Sequence, residues 1–111
     1  MTSGRGIWML LTNEGFSVIT AGDGVEGVQK NEENDPDVII LDLNMPKMGG
    51  LEALREIRKT DKDVRVIVLT GYGEIKSIRE AADLDIFEYV SKPFRKAMII
   101  DCVKEALAEG R

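Results

Sequence analysis

"VIILDLNMPKMGG", residues 38–50, decides the fold. Its opening apolar residues are mostly β-branched, too few to span a membrane and poorly suited to a helix, because branching at Cβ restricts χ1. The run ends on a carboxylate, Asp42, after which Asn44, Pro46 and the pair Gly49 and Gly50 supply turn chemistry. That order describes a buried strand whose carboxyl end opens into a loop. Pro46 fixes one exit direction, and the glycines permit a tight turn into the next segment.

Working outward, "FSVITA" (16–21), "PDVIILDL" (36–43), "VRVIVLT" (64–70) and "IFEYV" (86–90) share this short, continuously apolar character. They are expected as parallel strands covered on both faces. Segments 25–34, 51–60 and 74–84 lie between them and 95–110 follows, with Leu51, Leu54, Ile57 and Ile75, Ile78, Ala82 at helical spacing. These read as amphipathic crossovers, so the chain is expected to be an α/β domain with a doubly wound parallel sheet. Upstream, Ile7, Leu10 and Leu11 share a helical face, and Gly15 suits the left-handed position after a helix. The alternative, "IWMLL" as a strand, leaves only "TNEG" before the next strand and permits no more than an antiparallel hairpin. Trp8 is expected to pack within the first helix, and Cys102, among Ile99, Ile100 and Val103, to be an inert small hydrophobe.

Composition limits the function. At 111 residues the chain is expected to be one domain, 1–111, and 43% hydrophobic with 32% charged residues is ordinary for a globular fold. A net charge of −5 without a basic stripe argues against direct nucleic-acid binding. There is no histidine and a single cysteine, which removes the Cys/His zinc patterns, the histidine-dependent triads and any internal disulfide. No signal-peptide pattern appears and no apolar run approaches about 18 residues, so a cytoplasmic protein without membrane contact is expected.

In an open parallel sheet, ligands bind outside the carboxyl ends of the strands. Asp42, Thr70 and Lys92 stand at or just beyond the ends of three successive strands. Together they suit a phosphoryl group, with Asp42 as nucleophile, Thr70 as hydrogen-bond donor and Lys92 as a point charge. Taken singly each has a plainer reading: a loop aspartate, a β-prone threonine, a solvated lysine. "GYG" at 71–73 allows the adjacent loop to close on such a group and equally fits a plain turn.

The stretches "LDLNMPKMGG", "VIVLTGYGE" and "FEYVSKPF" occur in this order, and from residue 7 onward the chain resembles the receiver (CheY-like phosphoacceptor) domain of two-component response regulators. The resemblance implies a flavodoxin-like fold and a signalling domain that is not a conventional enzyme. It makes Asp42 the acceptor of a phosphoryl group from a histidine kinase, Thr70 the switch hydroxyl, Lys92 the phosphate-contacting lysine and Tyr89 the rotating aromatic. It also implies a cis peptide before Pro93 and Mg²⁺ held by Asp42 and the backbone carbonyl of Asn44. Output would pass to an effector or output domain through the surface of the family's fourth helix, fifth strand and fifth helix.

The departure lies at the front, where the family's first strand ends in two adjacent acids. Here "MTSGRGIWMLLTNEGFSV" reads as the tail of the first helix. The expectation is therefore a receiver lacking its N-terminal central strand, with a weakened magnesium site, impaired phosphorylation and strand edges left open. A domain-swapped homodimer would cover those edges. Asp23 is a distant substitute for the missing acids. Two other functions stand beside the phospho-aspartate switch. One is a degenerate, phosphorylation-independent interaction module or truncated fragment. The other is a phosphohydrolase of the haloacid dehalogenase type, which wants a second aspartate where Asn44 stands and cannot exchange a proton.

Overall fold

Three parallel strands, β1 (Val38–Asp42), β2 (Arg65–Thr70) and β3 (Glu88–Ser91), lie side by side in that order in the computed structural model. The structure describes residues 4–17, 23–42, 49–71, 79 and 82–109. The helices are α1 (Gly4–Asn13), α2 (Gly24–Asn34), α3 (Gly50–Thr60) and α4 (Lys96–Glu109). Among the described residues no helix is long and apolar enough to cross a membrane.

The side-chain alternation of β2 sorts the core into two layers. Ile67 and Leu69 join Leu11 of α1, Val90 of β3 and Ile99, Cys102, Val103 and Ala106 of α4 on one face. Val66 and Val68 join Leu41, Val64 and the α3 residues Leu54 and Ile57 on the other, with Val28 of α2 packed against them. Helices thus cover both faces, as the continuously apolar strands require. This is the expected doubly wound, receiver-like α/β fold.

Local chemistry sets the boundaries. After α1, Gly15 adopts φ 92°, its N–H donates to Thr12 O (3.0 Å), and Phe16 N–H reaches back to Leu11 O (3.1 Å). These two bonds form a Schellman cap, and Leu11 and Phe16 meet in the same apolar cluster. The helical reading of this segment holds over the strand alternative. Asp23 caps α2 by accepting the Glu26 N–H at 2.9 Å. α2 ends on Asp35 in a left-handed conformation, followed by Pro36.

Some expectations change or fall elsewhere. The segment expected as a helix over 74–84 ends in a 3₁₀ turn, Ala82–Leu84, closed by Asp85 at φ 58°. Its earlier part, apart from residue 79, lies outside the described residues, as does most of the strand expected at 16–21. The Trp8 side chain also lies outside them. Among the described residues, no strand pairs with the second edge of β1, and Val38, Ile39 and Ile40 are only half-buried.

Candidate functional site

Parallel pairing places the carboxyl ends of all three strands on one side of the domain. The register sets Asp42 opposite Leu69 and Thr70 opposite Ser91, so the last residue of each strand falls within one step of its neighbour. Lys92 leaves β3 directly beyond Ser91. Its backbone N–H donates to the carbonyl of Thr70 at 2.7 Å. Its Nζ lies 2.7 Å from Asp42 Oδ2, a charge-assisted contact between side chains about four-fifths buried (22% and 20% exposed). The Lys92–Pro93 peptide is cis.

The structure therefore brings together the acid, the strand-end threonine and the lysine singled out from the sequence. An ion pair this buried adds little net stability, because desolvation offsets much of the attraction. Its chemical consequence is greater: a carboxylate oxygen is held beside a cation at the mouth of a sheet. Thr70 is buried at the end of β2. Tyr89 is half-buried three residues before Lys92, and its ring packs on the α3 face with Leu84 and Ile86. Burial pushes its phenol pKa up.

The receiver resemblance implies magnesium beside Asp42. Mg²⁺ demands near-octahedral oxygen ligation, yet among the described residues no three carboxylate, imidazole or thiol groups converge. Asp42 pairs with Lys92, and Asp23 caps α2. These groups do not by themselves make a magnesium site. Asn44, the expected carbonyl ligand, lies outside the described residues.

One residue escaped the sequence reading. Arg58 is buried at 8% exposure near the end of α3. Its Nε donates to Leu84 O (2.8 Å), Nη2 to Asp85 O (2.9 Å) and Nη1 to Asp61 O (3.2 Å). Desolvation lowers its pKa, and the nearby Asp85 and Asp61 oppose that shift. The signal was present: Arg58 stands four residues after Leu54, on the stripe that faces the core.

A doubly wound parallel sheet with an aspartate–lysine pair at its carboxyl edge places the chain among α/β domains of the flavodoxin-like class. The comparisons narrow that class. The family model of the response regulator receiver domain matches residues 4–104, and the chain belongs to that family. It is 34% identical to sporulation initiation phosphotransferase F of Bacillus subtilis (strain 168), over 88% of this chain and 79% of that protein. It is also 34% identical to the transcriptional regulatory protein GlrR of Escherichia coli (strain K12), over 90% of this chain but 22% of that protein. Among solved structures, a response regulator receiver domain protein from Clostridium thermocellum superposes with a TM-score of 0.88 at 34% identity, covering 95% of this chain and 85% of the other.

Proposed function

We propose that this domain accepts a phosphoryl group on Asp42 and passes the resulting change to the surface around Tyr89. The observation that carries this reading is the 2.7 Å contact between Lys92 Nζ and Asp42 Oδ2 at the carboxyl ends of parallel strands. In the transfer, an Asp42 oxygen forms a new P–O bond as the P–N bond to the donor's imidazole breaks, and the leaving imidazole takes up a proton. Lys92 neutralises charge on the phosphoryl oxygens, and the buried Thr70 stands ready to donate to one of them. Converting the Asp42 carboxylate into an acyl phosphate moves the negative charge onto the phosphoryl oxygens and so changes what Lys92 binds, and Tyr89 lies on the strand that leads to Lys92.

The donor is a histidine kinase, as belongs to two-component signalling, and the recipient an effector or output domain. The size of GlrR relative to the matched region supports an output partner, since the match spans 22% of it. Mg²⁺ binding is weak in this reading, because of the family's ligands only Asp42 and Asn44 are identified in this sequence. A phosphohydrolase is disfavoured by Asn44 at the position where such an enzyme needs its acid. The test is incubation with a phosphohistidine donor, followed by hydroxylamine. The expected product is a hydroxylamine-labile phosphoryl group whose formation slows by about 10²-fold or more in Lys92→Met. A hydroxylamine-stable adduct, or an unchanged rate in Lys92→Met, contradicts the assignment.

A further inference from the structure

A second residue bears on the same site from a distance, and the inference rests on reading Asp42 and Lys92 as the phosphoryl-transfer pair. β3 has four residues and, among the described residues, pairs along one edge only, with β2. A short strand held by one ladder frays readily, so the contacts at its two ends decide where it sits. At the carboxyl end Lys92 is fixed twice, through its N–H to Thr70 O and through its ammonium to Asp42. At the amino end the Phe87 N–H donates to Val66 O at 2.8 Å.

Just before Phe87, the guanidinium of Arg58 takes hold of two consecutive carbonyls, Leu84 and Asp85, while also binding Asp61 at the end of its own helix. One rigid fork thereby ties α3 to the segment that feeds β3. Asp85 is left-handed at φ 58°, so the chain turns sharply at the point that Arg58 grips. Leu84 and Ile86, on either side of that turn, pack in the same cluster as Tyr89. A lysine ammonium is a point donor on a flexible stem and does not reproduce such a fork.

We propose that Arg58 is a positioning residue for the Asp42–Lys92 pair. By holding the carbonyls of Leu84 and Asp85 it sets where β3 begins, and the strand carries that placement to Lys92. Loss of the fork loosens the amino end of β3 and, through it, the contact of Lys92 with Asp42. The β1–β2 ladder stays in place.

Amide hydrogen exchange on the parent, Arg58→Lys and Arg58→Met, in the absence of any phosphodonor, tests this. Both variants are expected to speed exchange at Phe87 and Lys92 by about tenfold or more, with the Arg65 amide, which donates to Asp37 O, changing by less than about twofold. Arg58→Lys keeps the cation and serves if Arg58→Met fails to fold. Uniform acceleration across the sheet would reduce Arg58 to a general stabilising role and overturn the proposal, as would unchanged exchange at Lys92. A Lys92 response in a protein that takes up no phosphoryl group supports placement by Arg58 and removes the proposed function alone.

Discussion

At Cys102 the surroundings decide the chemistry. The thiol is buried in α4 against the sheet, and desolvation, reinforced by Glu88, Glu105 and Asp101, raises its pKa. A group whose folded pKa lies above its unfolded one contributes stability that is fully present below the unfolded pKa, about 8.5 for cysteine. That contribution is lost as the pH rises through the folded value. Alkylation by iodoacetamide at pH 8 is therefore expected to be slow in the native protein and fast in denaturant; rapid labelling of the native state contradicts the buried assignment. Asp42, Thr70 and Lys92 were legible in the sequence because each apolar run announces its own carboxyl end, and parallel pairing collects those ends on one side. Arg58 stood on the core-facing stripe of α3, but its role was not legible, because its partners are backbone carbonyls of a turn whose shape the residue types do not specify. The left-handed Asp85 that shapes that turn carries no glycine to mark it.

At the scale of elements, the cap of α1 gives the cleanest test. A Cβ built on Gly15 meets nothing within 4 Å, so Gly15→Ala introduces no clash and isolates the backbone term at φ +92°. The substitution is expected to cost about 1 kcal/mol. Urea denaturation reads this as a lower midpoint at constant slope, and an unchanged midpoint contradicts the Schellman assignment. The long periodic elements were read to within a residue or two, since β2 and α3 bury what their patterns said they would bury. The segment ending at Leu84 was read less well. Its helical spacing ends in a 3₁₀ turn, where a left-handed residue and the Arg58 fork override local periodicity. Asp23, expected only as a distant substitute for the missing acids, also caps α2.

At the scale of the molecule, the sheet is covered on both faces while one edge of β1 has no strand partner among the described residues. The fold class and the family's three motifs were plain from the sequence. Whether Asp42 accepts a phosphoryl group is decided by intact mass spectrometry of the parent and Asp42→Asn after incubation with acetyl phosphate and Mg²⁺. One added phosphoryl group is expected on the parent and none on Asp42→Asn; no adduct on folded parent, or an equal adduct on both, contradicts phosphorylation of Asp42.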